Sequence, residues 1–306
     1  MHDLGLVSAI LADRSLEDVI LFAAAHRFKC VELMCWPKGR AERRYAGVTH
    51  IDADTLTSEE AAAIKQLLRE QNVYISGLGY YPNPLDPDTE KASVYIAHLK
   101  KVIAAAALLG VSRVNTFIGR DPTATLEHNF ALFQKVWPDI VRFAEDHNVK
   151  IGIENCPMLF TQDEWPGGKN MAVSPAVWER MFTLIPSPSF GLNYDPSHLV
   201  WQQMDEVRPI YDFRERIFHV HLKDVRVYRE KLNRCGILAI PLDYHSPKLP
   251  GLGEVNWRSF FGALTDIRYR GPVCIEVEDK AFESTPEDVH NGILLSRNYL
   301  EQFLAG

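Results

Sequence analysis

No CxxC pair and no disulfide framework occurs in this 306-residue chain. Its cysteines are Cys30, Cys35, Cys156, Cys235 and Cys274, an odd set of five. That excludes a fully paired secreted scaffold and fits a reducing, cytoplasmic setting. Cys30, Cys156 and Cys274 lie in apolar runs and read as small core hydrophobes. No Gly-x-Gly-x-x-Gly follows an early strand, so the usual dinucleotide-binding signature is missing. Positive charge is short: 33 Lys and Arg face 40 Asp and Glu, a net charge of −7. Nucleic acid therefore receives no general attraction. The one basic cluster, Lys38, Arg40, Arg43 and Arg44, is interrupted by Glu42 and reads as a solvated loop. No apolar run is long enough for a bilayer, the longest being 102–111, so no membrane contact is expected. The first residues carry Asp3 and no basic leader, so they read as a strand and not a signal peptide.

What is present is rhythm. Hydrophobic residues make up 46% of the chain, enough for one large α/β barrel or two smaller domains. Eight apolar, strand-like runs occur at 4–11, 30–36, 73–78, 113–117, 150–155, 190–195, 217–222 and 272–277. A helical pattern follows each. Ser15 is an N-cap with Glu17 and Asp18 behind it, and Thr57 with Glu60 forms a capping box. A long helix over 88–109 stops at Gly110. Another spans 126–147, where Pro138 should end or kink a turn. A short helix is expected at 207–216, others at 257–268 and from Thr285 to near the C-terminus. An insertion rich in Pro, Gly and charge fills about 226–253. Alternation of this kind predicts a parallel sheet covered by helices, hence a single-domain (β/α)8 TIM barrel over 1–306. A doubly wound open sheet is the structural alternative.

In such barrels catalytic groups gather at the C-terminal ends of the strands. Four potential ligands occupy those ends on the last four runs: Glu154, Asp195, His221 and Glu276. Three carboxylates and one imidazole suit a hard or borderline divalent cation, with Mn²⁺ preferred and Mg²⁺ or Co²⁺ possible. Each also has a plainer reading. Glu154 could be an exposed strand-end acid, although an unpaired charge in so apolar a run is costly. Asp195-Pro196 could be an ordinary turn with His198 incidental. Period-two alternation puts His219, His221 and Lys223 on one face, which would need anionic partners inside a barrel. Glu276 and Glu278 share a face, with Glu278 read as a rim charge. Trp36 and Tyr81 could wall the apolar side of a sugar or simply pack under a loop. Glu32, mid-strand, reads as a support for a ligand or a hydrogen-bonder to substrate.

Gly-Ile-Glu-Asn at 152–155, Asp-Pro-Ser-His at 195–198, His-Val-His-Leu-Lys-Asp at 219–224, Pro-Gly-Leu-Gly-Glu-Val-Asn-Trp at 250–257 and Cys-Ile-Glu at 274–276 stand in a familiar order. Together they resemble the xylose isomerase-like barrel superfamily, in particular its sugar phosphate isomerase/epimerase group of ketose 3-epimerases and inosose dehydratases. The resemblance implies a divalent ion held by Glu154, Asp195, His221 and Glu276, with Glu154 and Glu276 as the acid/base pair. It implies that His198 contacts substrate or a bound water. Lys223 would contact substrate or steady a developing negative charge. The ketose 3-epimerases carry a further Glu after the fifth strand and an Arg after the seventh, for which Glu164 and Arg226 are only approximate substitutes here. Asp243-Tyr244-His245 matches part of the endonuclease IV pattern, but the loops after the third and fourth strands hold no histidine. The implied activity is isomerisation or epimerisation of a sugar or keto-sugar. A β-eliminating lyase or dehydratase on a keto-sugar, 3-keto-glycoside or inosose is the alternative. A non-catalytic sugar-binding barrel, or a subunit of a hetero-complex, is a third reading. Barrels of this group associate, so a homo-oligomer is expected by analogy.

Overall fold

The computed structural model describes residues 2–39, 46–159 and 168–304. The basic cluster around Arg40, Arg43 and Arg44, and Glu164, lie outside them. Eight parallel strands close into a barrel: β1 (Asp3–Val7), β2 (Cys30–Met34), β3 (Tyr74–Gly79), β4 (Arg113–Thr116), β5 (Lys150–Glu154), β6 (Phe190–Tyr194), β7 (Ile217–Leu222) and, after a hairpin, β10 (Pro272–Ile275). The order around the barrel is β1-β10-β7-β6-β5-β4-β3-β2. Helices α1 (Leu16–Ala25), α2 (Ser58–Gln71), α3 (Thr89–Leu109), α4 (Leu126–Asp146) and α5 (Pro175–Leu184) cover the first five crossovers. The Ser15 cap and the Thr57–Glu60 capping box both form.

The first strand is shorter than expected. β1 ends at Val7, and residues 8–11 turn into a 3-10 helix. Pro138 does not break α4. A proline inside a helix costs ~3 kcal/mol, while each large apolar side chain buried returns ~1.5–3 kcal/mol. Phe133, Trp137, Ile140 and Val141 are all buried around it, and the Trp137 indole donates to the Ile118 carbonyl at 3.0 Å. Burial therefore wins. By length and composition α3 could cross a bilayer. Here it buries Leu99, Val102, Ile103, Ala106 and Leu109 against the barrel.

After β6 the chain makes a short helix that alternation did not announce, α6 (Ser197–Val200), before α7 (Arg208–Asp212), itself shorter than expected. The insertion is organised: β8 (Asp224–Val227) and β9 (His245–Lys248) form an antiparallel hairpin, with α8 (Arg229–Cys235) between them. Asp224 ties it to the rim. Its carboxylate accepts from the backbone N–H of Val225, Gly251 and Val255 and from the Trp257 indole. Helices α9 (Trp257–Asp266) and α10 (Pro286–Glu301) complete the outer ring.

Gly5 shows how tightly the barrel interior is filled. A Cβ there would lie 2.5 Å from Cys30 Sγ, 2.6 Å from Cys274 Sγ and 2.8 Å from the Cys30 carbonyl oxygen. The carbonyl belongs to a paired strand and cannot retreat. Gly5→Ala should destabilise the fold by about 1–3 kcal/mol, the usual cost of overpacking, seen as a lower urea midpoint. An unchanged midpoint would show that the interior can relax there.

Candidate active site

The lower layer of the barrel interior is a neutral hydrogen-bond relay. The His219 Nδ1–H donates to Asn193 Oδ1 at 2.9 Å, and Nε2 accepts from Ser76 Oγ at 3.1 Å. Burial, then His221 and Arg113, push the His219 pKa well below the ordinary value, so it stays uncharged. Above it, His221 Nε2 lies 2.7 Å from Glu32 Oε2 and 3.0 Å from Asn193 Nδ2. Only the carboxylate can accept a proton, so Nε2–H donates to Glu32. Nδ1 is then the nitrogen turned upward, 3.7 Å from Glu154 Oε1 and 3.5 Å from Glu276 Oε2. It makes no hydrogen bond among the described residues.

Each carboxylate reaches this point from a different element. Glu154 is the last residue of β5, and Asn170 braces that strand end by donating to the carbonyls of Glu154 and Cys156. Asp195 follows β6. Asn155 pins it by accepting from its N–H at 2.8 Å and donating to its carbonyl at 2.9 Å. Asp195 Oδ1 accepts the Ser197 N–H at the start of α6. Oδ2 is buried and, among the described residues, has no hydrogen-bond partner. Glu276 stands just past β10, so the strand ends one residue before its acid.

Donor atoms of Glu154, Asp195, His221 and Glu276 all lie within 4.8 Å of one another. Asp195 Oδ2 faces the Lys223 ammonium at 3.1 Å and His198 Nε2 at 3.3 Å. These residues fit a divalent cation: the donors are three carboxylates and one imidazole, and the buried His221 Nδ1 has no hydrogen-bond partner among the described residues. Glu32 also fits, because a histidine that ligates a metal usually gives its other N–H to an acceptor that fixes the ring. A second grouping, Glu154 with Cys156 and His198, comes equally close. There the Trp201 indole donates to His198 Nδ1 at 3.3 Å, which leaves the proton on Nε2 and no lone pair for a metal.

Lys223, whose side chain is 3% exposed, enters from the end of β7. Its Nζ is 2.7 Å from Glu276 Oε2, 3.1 Å from Asp195 Oδ2, 3.2 Å from Glu278 Oε2 and 4.0 Å from Glu154 Oε1. Burial works against its charge, but Asp195 and the three glutamates hold its pKa well above the ordinary value. Burial and Glu276 would raise the Glu154 pKa, yet contacts with His198 and His221 outweigh them and leave it at about 2. Glu276 is likewise held low against burial, by Lys223 and then His221. Both acids are ionised at neutral pH.

Over this polar floor opens a cleft with a cavity volume of about 80 Å³. Glu154, Lys223, Glu276 and Glu278 supply its charged lining, and Val7, Met34, Trp36, Tyr81, Phe117 and Met158 much of the apolar lining. Trp36 stands edge-on to Tyr80 at 4.9 Å, and Tyr81 packs against Phe117 at 5.0 Å. Of the residues the sequence singled out, Glu154, Asp195, His198, His221, Lys223 and Glu276 converge, and Trp36 and Tyr81 face them from the wall. Glu32 is fully buried, bound to His221 and to the Tyr81 hydroxyl, and supports the floor. Cys156 is half-buried and lines the cleft, contrary to its reading as core. Arg226 is exposed on the hairpin, away from the role of an epimerase arginine. His245 is occupied elsewhere: it stacks on Trp201 at 4.8 Å and donates to the Pro241 carbonyl. Sequence reasoning missed Asn170 and Asn193 and read Glu278 as a rim charge. Only Glu278 carried a signal, its spacing of two from Glu276.

Residues 20–299 match the family described as xylose isomerase-like TIM barrel. The chain belongs to that family. This xylose isomerase-like barrel is 26% identical to an uncharacterised protein of Bacillus subtilis (strain 168), YfiH, over 90% of its own length and 92% of the relative's. It is 22% identical to the inosose dehydratase of Lactiplantibacillus plantarum, over 78% of each chain. The solved structure of a D-psicose 3-epimerase in the presence of D-fructose superposes with a TM-score of 0.73 over all of both chains, at 14% identity. At that identity the superposition speaks for the fold alone. The chain's sequence relatives thus include dehydratases and its structural neighbours an epimerase.

Glu32→Gln tests the support beneath the ligand set. The expected result is a chain that folds normally but binds Mn²⁺ about 10–100-fold more weakly by calorimetry. An unchanged affinity would mean that Glu32 does not set the His221 ring.

Proposed function

We propose that this chain is a divalent-metal-dependent enzyme that isomerises or epimerises a sugar or keto-sugar by removing a proton from the carbon beside its carbonyl. The observation that carries this reading is the meeting of Glu154 and Glu276 at one centre. Their strands, β5 and β10, are separated in the barrel by β6 and β7, so the two acids approach from different sides. Glu154, Asp195, His221 and Glu276 would hold the ion, Mn²⁺ being preferred. When bound, it supplies Lewis-acid polarisation of the carbonyl, which makes the neighbouring C–H acidic.

The chain's own groups do the rest. One ionised glutamate accepts the proton, a step usually worth ~10²–10⁴-fold. The other, on a different side, takes up a proton from solvent and gives it to carbon, which moves or inverts the centre, while the first returns its proton to solvent. Lys223 Nζ–H and His198 Nε2–H donate to oxygen as negative charge develops. Trp36 and Tyr81 give the C–H face of the sugar a wall and help to keep water out.

Elimination is the second reading. It is favoured by two N–H acids beside the carboxylates, able to protonate a departing oxygen, and by the kinship to inosose dehydratases. The deciding experiment is a panel of keto- and aldo-sugars with Mn²⁺ in deuterated water, followed by proton NMR. Deuterium entering at the carbon beside the carbonyl supports the proposal, and loss of a β-oxygen assigns the lyase. A protein that binds sugar without metal and exchanges no proton would overturn both in favour of a binding barrel.

A further inference from the structure

Two cations of different kinds are offered the same oxygens. Lys223 Nζ lies 2.7 Å from Glu276 Oε2 and 3.1 Å from Asp195 Oδ2. Glu276 and Asp195 also belong to the set whose donor atoms cluster within 4.8 Å. A divalent ion binds carboxylate oxygen at roughly 2.0–2.6 Å. An ammonium held at 2.7–3.1 Å from those same oxygens would then stand almost against it, with like charge. The lysine backbone is held, because the carboxylate of Asp224, the next residue, accepts four hydrogen bonds, from the N–H of Val225, Gly251 and Val255 and from the Trp257 indole. Only the side chain can yield. A further carboxylate is within its reach: Glu278 Oε2, at 3.2 Å, outside the ligand cluster and on the cleft side of the site.

Building on the metal reading above, we propose that Lys223 and the divalent ion exclude one another from the Glu276–Asp195 pair, and that Glu278 receives the displaced ammonium. Loading the ion then turns Lys223 towards the cleft, where its N–H groups meet the substrate's oxygens. Lys223 becomes a substrate-facing group only when the metal is seated, and Glu278 is a positioning residue. This also explains the purpose of an acid that ligates nothing and sits two residues beyond Glu276.

The test is Mn²⁺ affinity, measured by calorimetry on the full chain. Lys223→Met should bind roughly tenfold tighter or more, because a competing charge a few ångströms away is gone. Glu278→Gln should bind several-fold more weakly, because the ammonium loses its alternative partner. In the wild-type protein, acetylation of Lys223 by acetic anhydride, read by peptide mass spectrometry, should rise when Mn²⁺ is added. This last measurement separates displacement from a mere change of local charge, and it needs no variant to fold. Equal or weaker binding by Lys223→Met would overturn the proposal, as would Lys223 labelling that Mn²⁺ leaves unchanged or suppresses. Unaltered affinity in Glu278→Gln would overturn the receiving role. If neither wild type nor Lys223→Met binds Mn²⁺, the metal reading itself fails. If both bind it equally, only the exclusion does.

Discussion

Glu154→Gln is expected to abolish exchange of solvent deuterium into substrate while the barrel stays folded. The change keeps shape and removes the charge. A missing general base alone lowers rate by ~10²–10⁴-fold. Some stability should be lost, since contacts with His198 and His221 hold the Glu154 pKa at about 2 against burial and Glu276, so that its charge favours the folded state at neutral pH. The melting temperature should fall modestly at neutral pH, and a rise would show that the charge opposes the fold. Metal content must be measured alongside, because Glu154 is also a proposed ligand. A variant that retains metal and loses exchange identifies the base. Exchange at the wild-type rate would remove Glu154 from that role.

Asp195→Asn carries the second large effect. Asparagine can keep the Oδ1 contact that starts α6, so the local turn should survive. What changes is Oδ2, the buried oxygen without a hydrogen-bond partner. An amide there offers N–H to a cation and to Lys223, both unfavourable. Metal content by mass spectrometry should fall from about one ion per chain to near zero, with affinity lower by at least ~100-fold, beyond the effect of losing a supporting residue. Thermal unfolding gives an independent check. Mn²⁺ at 100 times its dissociation constant should stabilise the wild type by about 2.7 kcal/mol and leave Asp195→Asn unmoved. If the variant is stabilised equally, Asp195 is not a ligand.

The strand-end acids could be read in the sequence because barrel strands carry their own punctuation: an apolar run, a polar residue at its end, then a helix start. Glu154 and Asp195 stood out for that reason. Glu276 did too, although its strand proves to stop at Ile275. The same rule failed for Glu278. Alternation placed it beside Glu276 but could not say that Lys223 would lie between them. The purpose of Glu32 was equally out of reach, since its partner His221 is 189 positions away and meets it only across the closed barrel. Pro138 misled because propensity is local and the burial around Trp137 is not.

Periodicity and composition settled that this chain alternates strand and helix eight times, that it is acidic overall, and which side chains sit at the strand ends. They could do so because hydrophobic burial writes itself into spacing along the chain. Which of those side chains touch, which nitrogen of His221 is free, and which oxygens Lys223 shares with the ligand set were decided only by closure of the barrel. Closure sets distances between residues far apart in sequence, and hydrogen bonding at those distances fixes each proton.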